Sequence, residues 1–339
     1  MTLRRYITRR VLVLPLMLVG ITLLSFVLSH AVPADPISAN LGEQAAANPA
    51  AVAAFRQRWG LDRPLPQQYV VYLAHLARGD MGVSISTHQP VAIDLRQHLP
   101  ATIELAVAAM LLSLTLGIPL GIVSAVRRDS VIDQISRGGS LVGVSMPVFW
   151  LGLVALLIFY ARLGWVPSPG QLSPRLPRPP FVTGFIILDA LLAGQGDTAR
   201  DAIAHLALPA LVLGSYSVGV ITRMMRGSML DVLGEDYVRT ARAKGLPRVI
   251  VTLRHAARNA LLPVLTVIGL SFGGLLSGAV VTESVFAWPG LGSYAFRSAT
   301  SLDFPAIMGV GVIVASVYVL VNLLVDVAYA MVDPRIRMG

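Results

Sequence analysis

Six long apolar runs, separated by polar stretches of very unequal length, set the pattern of this chain. They cover roughly Val11 to Ser29, Leu99 to Val126, Gly138 to Tyr160, Ile203 to Arg223, Ala260 to Glu283 and Pro305 to Met331. An α-helix rises about 1.5 Å per residue, so about 20 apolar residues cross a hydrocarbon layer about 30 Å thick. The pattern therefore predicts an all-α membrane protein with six transmembrane helices. Phe181 to Leu188 is also apolar, but eight residues are too few to span. It reads as an interfacial or re-entrant piece. The first run follows Arg4, Arg5, Arg9 and Arg10 and ends near Ser29-His30-Ala31, which has the look of a signal-peptide cleavage site. Its apolar length exceeds the usual signal core, which favours a retained anchor helix.

The polar stretches differ in kind. Residues 31–98 make the longest, and within it Pro49 to Trp59 and Pro66 to Arg78 have amphipathic helical spacing, joined by Gly60-Leu-Asp-Arg-Pro64. Trp59, Tyr69 and Tyr72 suit the headgroup level. The segment reads as a lid on the membrane surface in preference to a substrate-contacting domain. Residues 163–180 hold six prolines and are expected to be extended. Between the fourth and fifth runs lies Asp236-Tyr-Val-Arg-Thr-Ala-Arg-Ala-Lys-Gly-Leu-Pro247. Glu235 and Asp236 stand where a helix N-terminus favours acids, and Arg242 and Lys244 where its C-terminus favours cations. Gly245 can take the left-handed turn that closes a helix, and Pro247 stops continuation. This short polar helix shows no sizeable apolar face of its own. Two readings stand: a solvated connector, or a rigid element built to be gripped by another protein.

Charge orients the chain. Only 13% of the 339 residues are charged and 55% are hydrophobic, with a mean hydropathy of +0.70. An even number of spans places both termini on one side. That side, with residues 127–137 and 223–258, carries 17 of the 27 basic residues. The other side carries ten in much longer sequence, five of them matched by acids in residues 30–98. By the positive-inside rule the termini and the 224–259 loop are cytoplasmic. The net charge of +9 is thus explained by topology without nucleic acid.

Candidate chemistry is sparse. There is no cysteine, and the six histidines lack metal-binding spacing. No phosphate-cradling Gly-x-x-x-x-Gly-Lys-[Ser/Thr] loop occurs, and no catalytic Ser/His/Asp grouping is recognisable, so no catalytic, metal or cofactor residue is assigned. Intramembrane acids carry a functional hypothesis by default. Glu104, Glu283 and Asp326 all lie near span ends, where solvation or local pairing accounts for them, and no acidic relay links them. Asn322, with Glu104 and Glu283, is kept as a possible pathway residue. Gly273, Gly274 and Ser277 permit close helix packing or line a path.

With these residues in view, the chain resembles a known family. Asp236 to Pro263 is similar to the cytoplasmic signature loop of ABC-importer permeases of the dipeptide/oligopeptide/nickel group. Trp59-Gly-Leu-Asp-Arg-Pro64, Arg78-Gly-Asp-Met-Gly82, His98-Leu-Pro-Ala-Thr102, Glu283-Ser-Val-Phe-Ala-Trp-Pro-Gly-Leu-Gly292 and Tyr329-Ala-Met-Val-Asp-Pro-Arg335 resemble further stretches of that group, so the likeness covers nearly the whole chain. In the general pattern Glu-Ala-Ala, three residues and Gly form the helix that docks in a groove of an ATPase. Arg239, Thr240, Ala241 and then Gly245 match these positions, with Arg in place of the acid, as is common in the peptide group. Ala260-Leu-Leu-Pro263 matches a later element at a larger distance from the glycine. These departures weaken the case for a salt bridge from the first position and leave the docking role.

The resemblance implies a type I ABC-importer permease fold with an extracytoplasmic segment between the first two helices. It implies half of a translocation pathway for di- or oligopeptides, coupled through Asp236, Tyr237, Arg239, Thr240, Ala241, Lys244 and Gly245. The implied partners are a second homologous permease subunit, two ATPase subunits (or one fused), an extracytoplasmic peptide-binding protein and membrane lipid. ATP and Mg would sit on the ATPases, and this chain would not be an enzyme. The division expected is 1–30 for the N-terminus and first span, 31–98 outside, 99–331 for the five-helix core with the 224–259 loop, and 332–339 for the tail, in a bacterial cell membrane. Nickel or glutathione cargo, and an ion-coupled secondary transporter, are the alternatives.

Overall fold

The computed structural model describes residues 15–24, 26–27, 48–59 and 62–332. Of the first expected span only α1 (Pro15–Leu24), with Phe26 and Val27, belongs to this set. Its N-terminal arginines, residues 28–47 and the 333–339 tail lie outside it. Next come α2 (Pro49–Trp59) and α3 (Leu65–Ala77), close to the two amphipathic stretches the spacing predicts. Tyr72 is buried and Tyr69 packs on Phe26, and the Tyr69 hydroxyl bonds to the Val19 carbonyl at 2.8 Å. The two tyrosines therefore seat α3 on the first helix. Burial, reinforced by Tyr69, pushes the Tyr72 hydroxyl up to about 12. The side chain of Trp59 lies outside the described set.

The core begins with α4 (Val91–Val126), then α5 (Val131–Ser145) and α6 (Val148–Ala155), which runs on in a wider π-type turn over Leu156–Arg162. After the irregular, proline-rich stretch comes the short α7 (Ile186–Leu192), then α8 (Gly196–Leu233) and α9 (Asp236–Ala243). A lead-in over residues 248–257 passes into α10 (Arg258–Val285). The chain ends in α11 (Leu291–Thr300) and α12 (Phe304–Val332). Helices are the outcome a lipid environment demands, because each satisfies its own backbone donors and acceptors.

Four described helices are long and apolar enough to cross a membrane: Val91–Val126, Gly196–Leu233, Arg248–Leu275 and Phe304–Val321. The expected third span is not one helix. It breaks at Met146–Pro147, where Met146 is extended (φ −85°, ψ 134°) and the two halves are bent by 110°. Proline disfavours helical geometry in the residue before it, so this correction has a local cause. Counted as one span, the bent pair brings the described total to five. The apolar piece at 181–188 does not span; its second half opens α7.

α8 is the central post, with α4, α5 and α10 against it and α12 behind α10. Hydrophobic burial drives little helix association inside a lipid layer, so close packing must carry it. Gly121 lets α4 approach so near that a Cβ there would lie 2.6 Å from Met225 Cβ. Gly219 does the same for α5, where a Cβ would lie 2.7 Å from the Ser140 carbonyl. Ser113 shares its hydroxyl proton between the carbonyls of Ala109 (2.7 Å) and Gly214 (3.1 Å), stitching α4 to α8.

At the α11 end the fold closes on a carboxylate. Glu283 is buried; one oxygen accepts from Thr102 Oγ1 (2.6 Å) and the other from Ser293 N (2.8 Å). Thr102 Oγ1 in turn accepts from Leu291 N (2.7 Å), and Trp288 Nε1 donates to the Ala101 carbonyl (2.9 Å). Three elements, α4, α10 and α11, thus meet on one acid. A Cβ at Gly290 would collide with that carboxylate. Gly290→Ala is therefore expected to destabilise the chain by about 1–3 kcal/mol, the cost of overpacking or of leaving buried polar groups unpaired. Thermal unfolding in detergent checks this, and an unchanged midpoint would remove the bracket.

A second carboxylate folds the stretch before α7. Burial opposes ionisation of Asp189, but the Thr183 hydroxyl (2.7 Å) and the amides of Thr183 (2.8 Å), Gly184 (2.9 Å) and Val182 (3.3 Å) outweigh it and hold the acid below the ordinary carboxylate range. A depressed carboxylate stabilises above its unfolded pKa of about 3.9, and the contribution is lost as pH falls through the folded value. Amide protection at 182–184, corrected for intrinsic exchange, should stay level from neutral pH to about pH 5 and fall only in stronger acid. Asp189→Asn should abolish it at neutral pH. Protection surviving in that variant would refute the assignment.

Candidate functional site

α9 follows α8 across the short link Gly234–Glu235. Glu235 takes the extended N-cap conformation (φ −69°, ψ 147°), and its carbonyl accepts from Val238 N and Arg239 N. The cap is backbone only, because the Glu235 side chain makes no capping bond. Asp236 pairs with Arg239 at 3.3 Å, an exposed contact of little energetic weight. At the far end Gly245 N bonds to the Arg242 carbonyl and Leu246 N to the Ala241 carbonyl, with Gly245 at φ +77°. That is the left-handed closure expected of this glycine. Pro247 then caps the lead-in helix that carries the chain into α10.

The structure corrects the view that this helix has little to bury in its own chain. Val238 is fully buried and Ala241 is 6% exposed. Both join one cluster with Ala125 of α4, Met225 and Met229 of α8, and Ala256, Ala257, Ala260 and Val264 of the α10 run. Two apolar residues three positions apart make a single narrow stripe on an otherwise polar helix. A hydrogen bond from Asn259 Nδ2 to the Tyr237 hydroxyl (2.7 Å) fastens the same helix to α10.

Six of the seven residues the sequence singles out remain at the surface: Asp236, Tyr237, Arg239, Thr240, Lys244 and Gly245. Ala241 does not; its small side chain fits the helix to its own bundle. The exposed face continues past the turn through Val249, 66% exposed, and Ile250, with the cations Arg242 and Arg248 between. The helix is thus seated on one side, and its other side is cationic and apolar.

Beneath this seat lies a polar node that sequence reasoning does not identify. Asp133 is fully buried near the start of α5. Arg226 of α8 reaches it with both arms of its guanidinium, Nε to Oδ1 at 2.7 Å and Nη2 to Oδ2 at 2.8 Å. Ser124 of α4 donates to Oδ1, and Asp129 N donates to Oδ2 at 3.0 Å. The legible part was local: Ser130-x-x-Asp133 has helix N-cap spacing, and the Ser130 side chain does accept from Asp133 N. Nothing in the sequence pairs Asp133 with an arginine 93 positions on.

Of the pathway candidates, Glu104 and Glu283 bond to separate sets of partners. Glu104 accepts from Gln171 Nε2 (3.3 Å) and Ile187 N (3.2 Å), holding the proline-rich stretch and α7 to α4. Glu283 is the bracket of the α11 end described above. The side chains of Asn322, Asp326 and Ser277 lie outside the described set. A groove of about 460 Å³ opens elsewhere, between α8 and α10, lined among others by Tyr216, Ser217, Leu270, Ser271 and Gly274. The neighbouring glycines divide the roles proposed for them. Gly273 packs on the Tyr318 ring of α12, while Gly274 faces open space. Among the described residues no three His, Asp or Glu side chains gather as a metal ion would require.

Comparison with known proteins joins these features. Residues 117–338 match the family described as the binding-protein-dependent transport system inner membrane component, and residues 3–106 match the N-terminal family of the same systems. The chain is 48% identical to the probable D,D-dipeptide transport system permease protein DdpB of Escherichia coli (strain K12), covering 96% of this chain and 95% of that protein. It is 44% identical to the dipeptide transport system permease protein DppB of Alkalihalophilus pseudofirmus, over 98% and 99%. The same identity holds for DppB of Escherichia coli (strain K12), over 98% of each chain. The chain therefore belongs to the family of binding-protein-dependent transport system inner membrane components, as a multi-pass permease subunit of an ABC importer whose ATP hydrolysis is done by partner subunits.

Proposed function

We propose that this permease subunit forms half of a translocation path for di- or oligopeptides and takes its drive through α9. Full-length likeness to dipeptide permeases supports the cargo. The observation that carries the coupling role is the two-sided build of α9, with Val238 and Ala241 locked inward and Tyr237, Arg239, Thr240, Arg242 and Lys244 turned outward. The outer face docks in a groove on a cytoplasmic ATPase, and a second, similar permease chain presents its own helix to the other ATPase, or to the other half of a fused one. ATP and Mg bind on those subunits. The excess of basic residues beside α9 supports a cytoplasmic location for it and for both termini. An extracytoplasmic binding protein delivers peptide at the α11 end.

ATP shifts the permease between outward and inward access only in so far as the closed and open ATPase dimers bind its two states with different affinity. The rigid seat of α9 serves that requirement, because a helix that yielded on its own bundle would dissipate the difference. The groove between α8 and α10, with the hydroxyls of Tyr216, Ser217 and Ser271, is this chain's wall of the path.

The test is purification of the tagged chain in mild detergent from its native neighbourhood, with ATPase activity measured with and without peptide-loaded binding protein. Co-purified ATPases stimulated by peptide support the reading. Stimulation by a nickel-loaded binding protein keeps the machine and replaces the cargo. Transport in liposomes without ATP overturns it. In the same assay Arg242→Glu combined with Val249→Asp should lower co-purified ATPase at least ~10-fold, as loss of an interface hot spot does, while chain yield holds. Ala241→Asp should instead lower the yield itself, since it buries a charge in the seat. Normal peptide uptake by the Arg242/Val249 variant would remove the docking assignment.

A further inference from the structure

We infer that Asp133 is a positioning residue of the transport cycle: with Arg226 it locks α4, α5 and α8 into one lever that carries the motion of α9 to the bend between α5 and α6. The inference rests on the coupling role proposed for α9.

Asp133 gathers three elements on one carboxylate. Ser124 stands near the end of α4, the amide of Asp129 in the connecting turn, and Arg226 on α8, 93 residues away. Arg137 approaches the same carboxylate at 3.7 Å from the next turn of α5. A two-armed guanidinium–carboxylate pair fixes orientation as well as distance, which a lysine's single point charge does not. Asp133 is fully buried and Arg226 only partly exposed, so separating the pair leaves the buried carboxylate without its counter-charge, and intermediate positions are costly. Helices joined in this way do not slide past one another.

The pair stands where force would enter. Arg226 lies in sequence between Met225 and Met229, which share one buried cluster with Val238 and Ala241 of α9. The link from α8 to α9 is two residues long, so a displacement of α9 is delivered to the end of α8, about two turns from Arg226. Farther along, α8 and α5 touch so closely at Gly219 and Gly143 that a Cβ on either would meet a backbone carbonyl. α5 then turns through 110° into α6, whose Gly152 packs on Val285 and Phe286 at the far end of α10. A continuous chain of tight contacts thus runs from the α9 seat to the α11 end, and Asp133 closes it at the point where α9 bears on the bundle.

A staple that only held the fold would look the same at rest, so the test must read coupling. The natural chain has no cysteine, which lets paired spin labels be placed at Ile135→Cys on α5 and Asp231→Cys on α8, both exposed positions. In the complete importer in liposomes, the distance between them should stay single and unchanged between the nucleotide-free and ATP-trapped states. Arg226→Lys keeps the charge and loses the fork. The assembled variant should broaden that distance and transport about tenfold fewer peptides per ATP hydrolysed. Ser124→Ala removes one donor and should move both readouts the same way to a smaller extent, which serves if Arg226→Lys fails to assemble. An assembled variant with an unchanged distance and an unchanged peptide-to-ATP ratio would overturn the lever, as would a natural chain whose label distance changes with nucleotide. A natural complex that transports without ATP would instead refute the coupling role of α9, and the label distance in the purified chain would still decide whether Asp133 locks the helices.

Discussion

The closeness of α8 to α4 and α5 is the constraint on which the rest of the molecule depends. In a lipid layer apolar side chains are as well solvated outside a bundle as inside it, so helices adhere through contact distance and polar stitching. Gly121, Gly214 and Gly219 remove the side chains that would hold α8 away, and Ser113 bonds across the gap. Only at that spacing can Arg226 meet Asp133 with both arms, and only on such a platform do Val238 and Ala241 find a surface to fill. The exposed helix is rigid because the helices beneath it are.

Buried acids mark both ends of this platform and bind it differently. At the α9 end the charge of Asp133 is answered by a full opposite charge and two uncharged donors. At the α11 end Glu283 is met by a hydroxyl and an amide, and it gathers α4, α10 and α11 without an ion pair among the described residues. Both acids are consumed in holding backbone segments together, which leaves the hydroxyl-bearing groove between α8 and α10 as the accessible feature of the middle.

The legibility of the chain varies with the range of the interaction that sets each feature. The limits of α10 and α12 follow the apolar runs to within two residues at each end, since the energy of burial in lipid is a property of the segment alone, whereas α8 starts seven residues before its apolar run and ends ten beyond it. The break at Met146–Pro147 was readable in principle, because proline's effect on its predecessor is local, but hydropathy averages across it. The α9 turn at Gly245 was legible for the same local reason. Ala241 was not, because two small apolar residues among charges leave the choice of facing partner open until Met225 and Met229 are placed.

What the sequence by itself determined is therefore what short-range physics controls: membrane-spanning helices, the capped polar helix at 236–245, the lack of cysteine and of a nucleotide-binding loop, and the clustering of basic residues near the N-terminus and in the 224–259 loop. What only the tertiary structure decided is which side chains face one another. Asp133 and Arg226, Glu283 and Thr102, and Ala241 and its methionine seat are each separated by many residues of chain. Their pairing depends on helix approach distances that no local pattern encodes, and a shift of an ångström or two would undo it.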